Sequence, residues 1–184
     1  MTAPVSEPAV LAALPREAGA VPVRRAVVVR LEGRVLALAA DPGCRVVEIQ
    51  TCIRVPTGPD CLIGLGNGQG DILAVVDIRP LLGLPAAAWK WPLLAQIVGD
   101  PQMKVAFAIE EVLGLTDLDE DRLEPLGPDL PAGLEAFGKG AIQTPVGHAV
   151  LLAVPEVLET LRLGKAEQVA EREEWGDTHG EHLD

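Results

Sequence analysis

Glycine and proline cut this 184-residue chain into apolar runs too short for any long helix. What lies between the cuts has the period-two alternation and β-branched content of strands. Ala26–Glu32 and Arg34–Ala39 read as two strands around a Glu32-Gly33 turn. Asp41-Pro42-Gly43 is a second turn signal. Arg45–Val55 reads as one long strand, with Val47, Ile49, Thr51, Ile53 and Val55 on one side and Val46, Glu48, Gln50 and Cys52 on the other. Leu62–Leu65 is a short apolar strand, and Gly66–Gly70 reads as a loop. Asp71–Ile78 is apolar without alternation, the signature of a strand covered on both faces. Arg79–Leu84 can make one helical turn, and Pro85–Pro92 is a connector carrying Trp89 and Trp91.

A second set follows. Leu93–Val98 reads as a strand, Gly99-Asp100-Pro101 as a turn, and Lys104–Leu115 as a strand or strand pair. Leu118–Leu134 reads as irregular, and Gly140–Thr144 with His148–Val154 as a hairpin. A short helix is expected from Pro155 to about Leu163, with proline in its first turn. About ten short strands divided by one connector favour small barrels over a sandwich or an α/β fold. Leu73, Val75, Ile78, Val105, Phe107 and Leu151 are the expected core. Residues 1–25 read as a loosely attached arm. Residues 164–184 read as an acidic tail: the segment from Lys165 carries seven acids and two bases.

Hydrophobic residues make up 48% of the chain, too many for a disordered one. A net charge of −12 would repel phosphate backbones and anionic lipid, so nucleic acid and direct membrane insertion are not expected. No apolar run approaches the roughly 20 residues that span a bilayer. The first basic residue is Arg16, and Pro22, Arg24 and Arg25 interrupt the apolar stretch after it, so no secretory leader is read. Cys44, Cys52 and Cys61 are odd in number and form no C-x-x-C, which fits small buried side chains in a reducing cytosol.

The residues that could carry catalysis do not converge. His179 and His182 lie in the tail, and His148 opens an apolar strand. No serine sits in a G-x-S-x-G elbow, and Cys44 beside Arg45 has no histidine near it in sequence. The run Gly64–Gly70 lacks the Gly-Lys-Ser/Thr ending and the following helix of a phosphate loop, so a glycine-rich hairpin is the better reading. No catalytic residue, cofactor or metal is expected.

Val46-Val47-Glu48-Ile49 followed by Arg54-Val55-Pro56 resembles the V-x-E-I…R-x-P segment of CheW-like domains. The stretch from Leu62 to Arg79 is similar to the family's next segment, matching at Gly64, Asn67, Gly70, Val75, Val76, Asp77 and Arg79. Ala106–Leu115 with Leu123-Glu124-Pro125, and the closing hairpin and helix, complete a likeness over about residues 26–163. The resemblance implies a mainly β fold of two intertwined five-stranded SH3-like β-barrels with a short C-terminal helix. The first barrel would lie mostly in 34–90 and the second mostly in 91–154, with the N-terminal strand shared.

It further implies a non-catalytic adaptor in the cytoplasm, recruited to membrane receptor arrays. Its partners would be the regulatory domain of a CheA-like histidine kinase and the cytoplasmic tip of methyl-accepting chemoreceptors. The partner-binding residues implied are Val46, Glu48, Gly64, Gln69, Gly70, Val112 and Leu115. The chain departs from the family pattern where Gln69 replaces a common Arg and Ala74 a common Pro. Asp41-Pro42-Gly43 looks inserted, and Gly66 and Gly68 are expected to loosen a loop. A scaffold of a type IV pilus system is the nearest alternative. A barrel binding a small ligand or single-stranded nucleic acid is a more distant one, since the strands lack interleaved basic and aromatic residues.

Overall fold

The computed structural model describes residues 24–162 apart from 43, 57 and 99–103. The arm up to residue 23, the 99–101 turn and the acidic tail lie outside the described residues.

Among the described residues eleven strands form two sheets. β1 (Arg24–Leu31), β2 (Arg34–Ala39), β9 (Glu111–Leu118), β10 (Gly138–Thr144) and β11 (Gly147–Leu152) make the first, in the order β10-β11-β2-β1-β9. β3 (Arg45–Ile49), β4 (Cys52–Ile53), β5 (Leu62–Gly68), β6 (Asp71–Val76), β7 (Leu93–Ile97) and β8 (Val105–Ile109) make the second, in the order β3-β7-β8-β6-β5-β4. The predicted strand 45–55 bends at Gln50-Thr51 into β3 and β4, which lie at opposite ends of that strand order. Chain continuity across two residues therefore joins the sheet's two edges and curls it into a barrel. In the first sheet, paired backbone hydrogen bonds between Glu124 and Ala141 bring the segment after β9 against β10.

The strands divide between barrels differently from the sequence expectation of 34–90 and 91–154. The chain makes β1 and β2 in the first barrel, builds the whole second barrel from β3 to β8, and returns with β9–β11. Parallel pairing of β2 with β11 holds β2 in the first barrel, and parallel pairing of β6 with β8 holds β8 in the second. The connector carrying Trp89 and Trp91 joins β6 to β7 within one barrel and does not separate the two. Such non-local pairings leave no mark in local sequence pattern.

Three apolar clusters explain the uninterrupted apolar runs. Ala26, Val28, Ala37, Ala149 and Leu151 fill the first barrel, and Val47, Ile49, Leu73, Val75, Ala106 and Ala108 the second. The alternate residues Val27, Val29, Leu36, Leu38, Val105, Phe107 and Ile109 face the other barrel and form the largest cluster. β1, β2 and β8 are thus covered on both faces because each lies between a barrel interior and the barrel junction. All six residues expected in the core are buried. Helix α2 (residues 154–162) is the expected C-terminal helix, and it caps the junction with Val157 and Leu158. The segment read as irregular contains a further helix, α1 (Ala132–Phe137). Its Leu134 is buried in the junction, and Gly133 lies so close to Leu81 that an added Cβ would stand 2.1 Å from the Leu81 carbonyl oxygen.

Two hairpins turn on two residues at positive φ, the form that matches strand twist. Glu32 (46°) and Gly33 (72°) join β1 to β2, as the sequence implies. Gln69 (55°) and Gly70 (93°) join β5 to β6. β5 therefore runs through Gly66 and Gly68, where the sequence suggested a loop. Both glycines point into the barrel. A Cβ at Gly66 would stand 2.6 Å from Ile49 Cγ2, and one at Gly68 2.6 Å from Leu73 Cδ1. They permit tight packing of β5 against the core, the opposite of the loosening expected from them.

Candidate partner-binding surfaces

A groove of about 840 Å³ opens where β1 and β9 of the first barrel meet β3 of the second. Val27, Ala40, Val46, Val112 and Leu115 give it an apolar floor and wall, and Arg24, Arg25 and Arg45 stand along it. β9 is an edge strand, and among the described residues none buries Val112 or Leu115 on its outer face. The arginines are held by exposed carboxylates: Arg24 by Asp41 and Glu120, Arg25 by Asp117, and Arg45 by Asp71. Exposed pairs of this kind are worth little and rearrange readily.

Of the seven residues singled out in sequence, the fold brings Val46, Val112 and Leu115 together in this groove. Glu48 lies two residues beyond Val46 on the same outward face of β3, and accepts a hydrogen bond from Gln50 Nε2 at 2.5 Å. Gln69 and Gly70 form the exposed tip of the β5–β6 hairpin. That tip is tied to the groove through the next residue: Arg45 Nη2 donates to Asp71 at 2.6 Å, and Lys104 Nζ donates at 2.8 Å. These two cations hold the Asp71 carboxyl below the usual aspartate range, Lys104 contributing most. Gly64 is buried at a bulge in β5 (φ 156°), where a Cβ would stand 2.6 Å from the Ile53 carbonyl oxygen. It serves the close approach of β4 to β5, so its replacement would disturb that pairing as well as any contact nearby.

Several features were not read from the sequence. Ile53, Leu65 and Ile72 are exposed on the outside of the second barrel, Ile53 by 76%, with Ile53 and Leu65 directly cross-strand. The phase change at the Gln50-Thr51 bend turns Ile53 outward, and no local signal announces that bend. The second is a buried ionic cluster. Arg79 is 2% exposed; its Nε donates to both Asp77 carboxylate oxygens at 2.9 and 3.1 Å, and Nη2 donates to Oδ2 at 2.7 Å. Nη1 donates to Glu32 Oε1 at 2.7 Å, Nη2 also donates to the Ala87 carbonyl, and the guanidinium lies 4.0 Å over the Trp89 ring. Trp89 Nε1 donates in turn to Asp77 at 3.2 Å. The cluster ties the β1–β2 turn of one barrel to the end of β6 in the other. Asp77 and Arg79 were visible in sequence as a D-x-R match, whereas Glu32 and Trp89 meet them only in the fold.

Burial pushes the Cys52 and Cys61 thiols up, which keeps both protonated at neutral pH. Among the described residues, no three or more His, Cys, Asp and Glu side chains are gathered to hold a metal ion, and no helix is long and apolar enough to cross a membrane.

Two SH3-like barrels that share an apolar junction, threaded so that the chain leaves the first and returns to it, define a CheW-like fold. Residues 21–162 match the family model of the CheW-like domain, and the chain belongs to that family. The crystal structure of scaffolding protein TtCheW from Thermoanaerobacter tengcongensis superposes with a TM-score of 0.57 at 21% identity, covering 71% of this chain and 88% of that one. At that identity the likeness is one of fold. No curated protein matches. Family membership makes the chain a CheW-like scaffold of the chemotaxis-signalling type.

Proposed function

We propose that the chain is a non-catalytic cytoplasmic adaptor that couples chemoreceptors to a CheA-type histidine kinase at membrane arrays. The observation that carries this reading is the groove, which gathers Val46, Val112 and Leu115 from two barrels onto one open apolar surface. A groove of this shape suits the apolar face of a helix, and the tip of a receptor's helical hairpin supplies one. The exposed apolar face of the second barrel (Ile53, Leu65 and Ile72), with Gly64 beneath it, takes the kinase's regulatory domain. Glu48, outward on β3 of the same barrel, sets orientation there more than affinity.

The test is titration of purified receptor hairpin fragment and kinase regulatory domain against surface variants, with melting temperatures measured alongside. Val46→Asp and Leu115→Asp should weaken receptor binding by at least about tenfold, near 1.4 kcal/mol, and spare the kinase. Ile53→Asp and Glu48→Arg should do the reverse. Gln69→Arg, next to the hairpin residue that holds Arg45, should alter receptor affinity only. Unchanged receptor affinity in both groove variants, at unchanged stability, would refute the assignment.

A further inference from the structure

The groove also fits a segment of the chain itself. Along its apolar floor stand Arg24, Arg25 and Arg45, whose partners are the exposed carboxylates of Asp41, Glu120, Asp117 and Asp71, on a protein whose net charge is −12. The one strongly acidic stretch bearing a large ring is C-terminal: Trp175 stands among Glu171, Glu173, Glu174 and Asp177. The last described residue, Arg162, lines a neighbouring cavity of about 370 Å³ that shares Arg24, Asp41 and Cys44 with the groove. The chain therefore leaves α2 beside the groove. Trp175 is thirteen residues further on, and at roughly 3.3–3.6 Å per residue that span reaches any part of it.

We propose that residues 163–184 fold back so that Trp175 occupies the groove, with its neighbouring carboxylates against Arg24, Arg25 and Arg45, in competition with the partner helix. The competition rests on the groove being the receptor site; the docking itself does not. The tail carboxylates replace the exposed intramolecular partners of these arginines, an exchange that costs little. Tethering gives the segment an effective concentration on the order of millimolar, so even weak intrinsic affinity fills the groove much of the time. The apparent partner affinity falls in proportion to the fraction of grooves left open.

The full chain labelled with 5-fluorotryptophan tests this by fluorine NMR, with Trp175→Phe assigning the resonance. At low salt the Trp175 signal should be displaced from the position of a solvated indole. It should return there in about 1 M NaCl, where the Debye length is roughly 3 Å, and in Leu115→Asp. Neutralising the segment (Glu171→Gln, Glu173→Gln and Glu174→Gln with Trp175→Ala) should tighten receptor hairpin binding roughly two- to tenfold. A wild-type Trp175 signal at the solvated position overturns the proposal, as does a displaced signal indifferent to Leu115→Asp. Displacement that grows with protein concentration overturns it in favour of a second copy. Groove amide signals that respond to Val10→Asp and Leu14→Asp but not to the neutralised tail overturn it in favour of the N-terminal segment. Receptor affinity unchanged by neutralisation, with the NMR displacement present, overturns the competition. The NMR arm contains no partner protein, so its failure leaves receptor binding in the groove standing. Receptor binding indifferent to Leu115→Asp would instead remove the functional reading alone.

Discussion

Replacing Arg79 with methionine should cost about 3–5 kcal/mol, because it strands a carboxylate inside the protein. Met is close to the aliphatic part of Arg in volume, so packing changes little and the loss is electrostatic. Wild-type Asp77 receives three donor contacts from the guanidinium, one from Trp89 Nε1 and one from the Arg79 backbone N–H. The substitution leaves the last two. It also removes the guanidinium donor to Ala87 O and the cation over the Trp89 ring. For a chain of this size each kcal/mol shifts the melting temperature by roughly 2–4 °C, so a fall of about 6–20 °C is expected by calorimetry. Glu32→Gln should cost only about 1 kcal/mol, since water reaches the outer carboxylate, whose side chain is 22% exposed. The decisive measurement is the double variant. Arg79→Met with Asp77→Asn removes the orphaned charge and should be more stable than Arg79→Met alone by at least about 1 kcal/mol. A loss below about 1 kcal/mol for Arg79→Met, or a double variant no better than the single, would refute the reasoning.

Other outcomes follow from single features. Gln96 is fully buried beside Val46 and Phe107, and neither amide atom has a hydrogen-bond partner among the described residues. Gln96→Met should therefore raise stability by about 1–2 kcal/mol in urea titrations, and a loss would count against it. Gly68→Ala should cost about 1–3 kcal/mol by overpacking against Leu73 and Val47, even though a β-strand ordinarily favours Ala over Gly. Asp71 has a lowered pKa in the folded state, so its contribution is present above the ordinary carboxylate range and lost as pH falls through its lowered value. The difference in melting temperature between the wild type and Asp71→Asn should accordingly be seen at pH 7, begin to shrink near about pH 4 and disappear only below the lowered value; a constant difference would refute it.

Alternation and punctuation along the chain by themselves determined that this is a β protein of short strands, where the Glu32-Gly33 turn falls, and that Leu73, Val75, Ile78, Val105, Phe107 and Leu151 are buried. Those properties depend on neighbours two residues away, and a strand's two faces are written into that spacing. The D-x-R spacing and the order of its flanking segments likewise sufficed for the family. Tertiary structure alone decided which barrel β2 and β8 join, because parallel partners far apart in sequence settle it. It alone showed that Gly66 and Gly68 face a packed core: glycine has the same local meaning in a loop and in a crowded strand, and only the Ile49 and Leu73 side chains opposite distinguish the two. The groove is of the same kind. Val46, Val112 and Leu115 are singled out in sequence only through the family resemblance, and they become one surface because β3 and β9 sit on different barrels that the shared apolar junction presses together.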